Sequence, residues 1–153
     1  MNTKTLTFLT VASILFVACN AKPQDKTDAE IGDYDSMHVI EKDAEGNDAT
    51  VIYYAGNQEK VRQYYSDRSL RCKGTIVNGL REGHWVFYFP NGNIQAECTY
   101  FGGKEDGPYR VMRENGAPYY IGQYTMGVRT GTWEIYDQDG ILVTTQDYGT
   151  PNS

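Results

Sequence analysis

The stretch "GHWVFYFPNG" at residues 83–92 returns as "GPYRVMRENG" at 107–116 and as "GTWEIYDQDG" at 131–140. Glycines fall at 79, 103 and 127, at 83, 107 and 131, and at 92, 116 and 140. Tyrosines fall at 100, 124 and 148, and the first aromatic of each phrase is Trp85, Tyr109 or Trp133. Fifteen positions thus keep a strict 24-residue period, which composition alone does not produce. A unit this short cannot enclose a core, so neighbouring copies must build each other's walls. A degenerate copy stands one period upstream. There Tyr64 matches Tyr88, Asp67 matches Asn91, Val61 replaces the Trp and Arg68 replaces the turn glycine.

Each unit parses as a hairpin. "HWVFYFP" is β-branched and aromatic, "NGN" tolerates a left-handed turn, and "IQAECTYF" is the return strand. "GGKEDG" then reverses the chain into the next copy. Upstream, "MHVIEKDAEGNDATVIYY" reads as strand, turn, strand. The expected fold is all-β, an elongated antiparallel sheet of tandem β-hairpin repeats with a 24-residue period, occupying residues 37–150. Three to four units advancing about 10 Å each give a body of about 30 to 40 Å.

The pattern resembles the MORN-repeat variant family, whose unit runs roughly G-x-W-x-x-Y-x-x-N-G. Gly83, Trp85, Tyr88, Asn91 and Gly92 carry the resemblance, as do Gly131, Trp133, Tyr136, Asp139 and Gly140. Gly107, Tyr109, Met112, Asn115 and Gly116 form a weaker copy. The resemblance covers residues 60 to 149. With no catalytic motif in the chain, the expected function is a non-enzymatic repeat sheet presented for protein-protein or glycan binding; the association of such repeats with YwqK-like antitoxins implies, as an alternative, a protein that neutralises a toxin partner.

The N-terminal segment has a different character. "MNTKTLTFLTVASILFVAC" opens polar and runs apolar from Leu6 to Ala18, thirteen residues against the roughly 20 needed to span a hydrocarbon core. Small Ala18 stands directly before Cys19, and a charged, Pro-containing stretch follows. This resembles a bacterial lipoprotein signal over residues 1–18, with Cys19 as the lipidated residue. Residues 19–36, rich in acidic groups and poor in large apolar ones, are expected to form a flexible acidic tether. The expected location is the cell envelope. By the same resemblance, Asn20 after the cysteine favours the outer membrane of a Gram-negative bacterium.

The portion from Cys19 onward carries thirteen basic and twenty acidic residues, a formal charge of −7. Such a chain repels phosphate backbones, so no nucleic-acid partner is expected. Membrane contact would come from the lipid on Cys19, with a protein of unspecified identity as the further partner.

Alternation puts Trp85, Phe87 and Phe89 on one side of their strand, with Tyr109 and Val111, then Trp133 and Ile135, continuing the row. Such an aromatic ladder reads either as core or as contact surface, and a single-layer sheet leaves room for both. The candidate binding strip comprises Trp85, Tyr88, Tyr109, Tyr120, Trp133 and Tyr136. "YDQDG" at 136–140 has the opening of a calcium loop, but the equivalent slots read "YFPNG" and "MRENG", so Asp-Gly here is turn chemistry. His84 and His38 lack partners at ligand spacing, and no cofactor, metal or catalytic residue is expected. Cys72 and Cys98 lie one period plus two residues apart. Equivalent positions in adjacent hairpins stand about 9.6 Å apart, beyond the ~7 Å a disulfide allows. Two free, buried thiols are expected.

Overall fold

The computed structural model describes residues 35–150. The signal segment 1–18, the lipidation site Cys19 and the tether up to residue 34 lie outside the described residues. Ten strands follow one another: β1 (Ser36–Lys42), β2 (Asp48–Ala55), β3 (Gln58–Tyr64), β4 (Leu70–Val77), β5 (Leu80–Tyr88), β6 (Ile94–Phe101), β7 (Lys104–Met112), β8 (Pro118–Thr125), β9 (Val128–Tyr136) and β10 (Leu142–Asp147). They form one sheet in strict sequence order, every pair antiparallel. The expected all-β stack of hairpins is the observed fold. It has five hairpins rather than three or four, and nine strand spacings give a length of about 43 Å. Asp35 and Ser36, expected in the tether, are bonded into the sheet. Asp35 donates its amide to the Tyr54 carbonyl at 2.9 Å, and its carboxylate accepts from the Gly56 amide at 3.0 Å.

Two backbone devices account for the period. At one end of the sheet each of the five hairpin turns closes with the same bond, Asp43 to Asn47, Tyr65 to Ser69, Phe89 to Asn93, Arg113 to Ala117 and Asp137 to Ile141, amide to carbonyl at 2.8–2.9 Å. The fourth turn position is left-handed, with φ of 84°, 83° and 78° at Gly92, Gly116 and Gly140. In the degenerate copy Arg68 occupies this slot and still takes φ 69°. An Asx turn supports it there: the Asp67 carboxylate accepts from the Ser69 amide and hydroxyl at 2.9 and 2.6 Å. Asp137 plays the capping part in "YDQDG", accepting from the amides of Asp139 and Ile141.

The second device is a bulge on β5, β7 and β9, the outgoing strands of the three repeated phrases. Between β4 and β5 the register shifts between Lys73–Val86 and Thr75–Glu82, and β6–β7 and β8–β9 shift at the equivalent places. Gly83, Gly107 and Gly131, the first residues of the three repeated phrases, sit inside these shifts at φ 67°, 119° and 62°. Each shift sets three residues of the outgoing strand against one of its partner, two more than a regular ladder, and such an irregularity sharpens the local twist. These glycines therefore repeat because a residue with a Cβ would be strained there.

Candidate functional site

One face of the sheet is aromatic, and cross-strand register orders it into rows. The first row contains Val61, Gly74, Trp85, Cys98, Tyr109, Gly122 and Trp133, joined by register within each segment and, across the two bulges, by the Trp85 ring over Gly74 and the Trp133 ring over Gly122. Trp85 and Trp133 are 3% and 2% exposed, although a single layer has no second sheet to cover them. Each indole lies on a glycine of the preceding strand: a Cβ built on Gly74 would stand 2.1 Å from the Trp85 ring, and one on Gly122 would stand 2.3 Å from that of Trp133. The indole N–H donates to a backbone carbonyl beside that glycine, Trp85 to Thr75 at 3.1 Å and Trp133 to Gln123 at 3.2 Å.

An arginine closes each socket. The Arg81 guanidinium stands 4.5 Å from the Trp85 ring and donates to the Tyr100 hydroxyl at 3.1 Å. Arg129 stands 4.4 Å from Trp133 and donates to the Tyr148 hydroxyl at 3.1 Å. The tyrosines spaced at 24 residues make the walls, with edge-on ring contacts Tyr100–Trp85 at 6.3 Å, Tyr124–Trp133 at 5.2 Å and Tyr148–Trp133 at 6.1 Å. In the middle copy Tyr109 pairs with Cys98, and Glu105 takes the arginine's slot and accepts from Tyr100 at 3.3 Å. Burial pushes the Tyr100 phenol up to about 12, with Cys98 alongside adding to it. Burial raises both thiols as well. Cys72 and Cys98 are buried and unbridged, as expected.

The six residues of the sequence-derived strip therefore do not form one exposed strip. Trp85 and Trp133 are masonry, sealed between glycine and arginine. Tyr109 is half-buried between them, 5.7 Å from the Trp133 ring. Tyr88 and Tyr136 belong to the other face: Tyr88 lines a groove with Lys73, Val86 and Glu97, and Tyr136 donates to Glu134 at 2.6 Å. The reason is periodicity. Three residues from a tryptophan, a strand side chain points to the opposite side.

Tyr120 belongs to a second row on the aromatic face. Phe87, Ala96, Val111, Tyr120 and Ile135 are successive cross-strand partners from β5 to β9. All five are half-buried; at the β5 end Phe87 packs against the buried cluster, stacked on Trp85 at 6.2 Å with the Arg81 guanidinium 5.7 Å from its ring, and the sheet itself supplies no second layer over the rest. The row spans four strand spacings, about 19 Å. Alternation named Phe87, Val111 and Ile135 as neighbours of the aromatics; nothing in the sequence separated this open row from the sealed one beside it.

The opposite face differs in chemistry. Between β2 and β6 an open-sided groove of about 360 Å³ is lined by Tyr53, Lys60, Arg62, Lys73, His84 and Tyr88, among others.

Residues 81–101, which span β5 and β6, match the family model of the MORN repeat variant. None of the curated proteins matches the chain. Among solved structures, one titled "Crystal Structure of TarM" resembles this chain with a TM-score of 0.37 and 10% identity over 51% of this chain and 16% of that one.

Proposed function

We propose that this chain is a non-enzymatic binding module, held at the outer membrane by a lipid on Cys19, that engages a protein or glycan through the apolar row Phe87–Ala96–Val111–Tyr120–Ile135. One observation carries the reading: in a one-layer sheet whose tryptophans are each sealed by a glycine and an arginine, the adjoining apolar row is only partly buried across five strands. Contiguous apolar surface of this kind is a contact surface in soluble domains. The apolar run ending at Ala18–Cys19 supports the anchor.

In-cell photocrosslinking from positions 120 and 135, with full-length protein recovered from the envelope, tests the reading. The expected result is one partner captured in near-stoichiometric yield and lost in a Val111→Gln background. Capture of a small cytotoxic protein instead would favour the antitoxin alternative. No capture from a correctly localised, folded chain would overturn both. Fatty-acid labelling that disappears in Cys19→Ala checks the anchor separately.

A further inference from the structure

The chain carries three Asn-Gly pairs, Asn78–Gly79, Asn91–Gly92 and Asn115–Gly116. In such a pair the asparagine side chain is open to attack by the next backbone nitrogen, because glycine has no Cβ to crowd the approach. The fold treats the three differently. Asn91 and Asn115 stand in the turns at one end of the sheet, and each is held on every side that the reaction would use. The attacking amides, those of Gly92 and Gly116, donate to the Phe89 and Arg113 carbonyls at 2.9 Å. The side-chain oxygens accept from the amides of Asn93 and Ala117 at 2.9 and 3.0 Å. The Nδ2 groups that would leave donate to the next hairpin, to the Glu114 and Gln138 carbonyls at 3.2 and 3.1 Å.

Asn78–Gly79 lies at the other end, in the two-residue turn closed by the Val77–Leu80 pair between β4 and β5. Gly102–Gly103 and Met126–Gly127 are its equivalents in the next two copies. Both positions of each turn are left-handed, with φ of 51° and 78°, 54° and 83°, and 49° and 85°. The later two turns are tied back to the hairpin before them. The Gly102 amide donates to the Glu82 carboxylate at 2.9 Å and the Met126 amide to that of Asp106 at 3.2 Å. The Gly103 and Gly127 amides donate to the Arg81 and Glu105 carbonyls at 3.0 and 2.7 Å. Asn78 and Gly79 make no such bond among the described residues, and both are exposed. One period upstream of Glu82 the carboxylate is missing, and the neutral amide of Gln58 stands in its place.

We infer that Asn78 is a deamidation site of the folded protein, selected from three Asn-Gly pairs because its turn alone is untied. The Gly79 nitrogen forms a bond to Asn78 Cγ and gives its proton to solvent base, and Nδ2 leaves as ammonia. Water then opens the five-membered imide at either carbonyl, leaving aspartate or isoaspartate at position 78. One water is consumed and one ammonia released, with no change of oxidation state. Each event adds a negative charge two residues before Leu80 and three before Arg81, the lid of the Trp85 socket. The site rests neither on the apolar row nor on the anchor.

The test is a time course of the full-length chain in zwitterionic detergent at mildly alkaline pH, followed by tryptic mass spectrometry. Trypsin separates the three pairs into peptides 74–81, 82–104 and 114–129. Asn78 should convert about tenfold faster than Asn91 or Asn115, since those two must first lose hydrogen bonds of which each is worth up to about that factor. In urea the three rates should converge. Peptide 74–81 should also become a substrate for isoaspartyl methyl transfer, the mark of the imide route. Gln58→Glu restores the acceptor that Glu82 and Asp106 supply elsewhere, and should slow Asn78 severalfold while leaving the other two unchanged. Equal rates in the native chain, conversion of Asn91 or Asn115 first, or an Asn78 that stays intact while the unfolded chain converts would overturn the assignment. So would indifference of Asn78 to Gln58→Glu, or aspartate formed without isoaspartate.

Discussion

At the scale of single residues, the molecule is decided by which side chain is missing beneath each tryptophan. Gly74 and Trp85 are eleven residues apart, as are Gly122 and Trp133, and the equivalent pair in the middle copy is Cys98 and Tyr109. A smaller ring accompanies a larger floor residue. Gly122→Ala drives a methyl into the Trp133 ring, with a Cβ only 2.3 Å from it. The expected cost in urea denaturation is about 1–3 kcal/mol, as for other overpacked cores. Carrying the middle copy's solution across, Gly122→Cys together with Trp133→Tyr, should cost less than the two single changes summed. The buried thiols give a second expectation. With pKa values raised by burial, Cys72 and Cys98 should resist alkylation at neutral pH in the native chain and react fully once it is unfolded. Tyr100 gives a third. Its phenol stays protonated up to about 12 when folded and ionises near 10 when unfolded. Between those values the unfolded chain binds fewer protons than the native one, so stability falls as pH rises. The urea midpoint should be insensitive to this group below about pH 10 and drop from there to 12, less steeply in Tyr100→Phe.

At the scale of elements, the hairpin is the unit that can be counted, removed or added. Removing residues 93–116 takes out one period and joins positions that are structurally equivalent. Trp85 is then paired with Gly122 in place of Cys98, and both tryptophans keep their glycine floors. The shortened chain should fold cooperatively with a lower urea midpoint, whereas removing twelve residues would reverse the strand direction and should abolish folding.

This level of organisation was legible in the sequence because bulge and turn glycines and tyrosine walls all keep the period. The sealed sockets were less so. The glycine floors stand on the return strand, eleven residues before the ring they carry, and the arginine lids recur only at twice the period, at 81 and 129. The family motif marks Tyr88 and Tyr136 beside the tryptophans along the chain, but a two-residue side-chain period sends them to the other face. The cationic groove was not visible either. Lys60, Arg62, Lys73 and His84 come from three strands, and only register brings them together.

At the scale of the whole molecule, a single open sheet has two ends and two faces. The end strands β1 and β10 are exposed along their length, with Met37, Ile40, Leu142 and Val143 at 49–63% exposure. Amide exchange should therefore be fastest in Ser36–Lys42 and Leu142–Asp147 and slowest in β4 to β9, where the sockets are. The two rows of the aromatic face divide the work under the proposed function: the sealed row holds the layer together, and the apolar row beside it would make the contact. The most direct test of that division is the urea stability of the Val111→Gln, Ile135→Gln double variant beside Trp133→Ala. If the open row is surface, the double variant should lie within about 1 kcal/mol of the parent, and Trp133→Ala should lose about 3–5 kcal/mol. A comparable loss in both would make the open row part of the core and contradict its assignment as a contact surface.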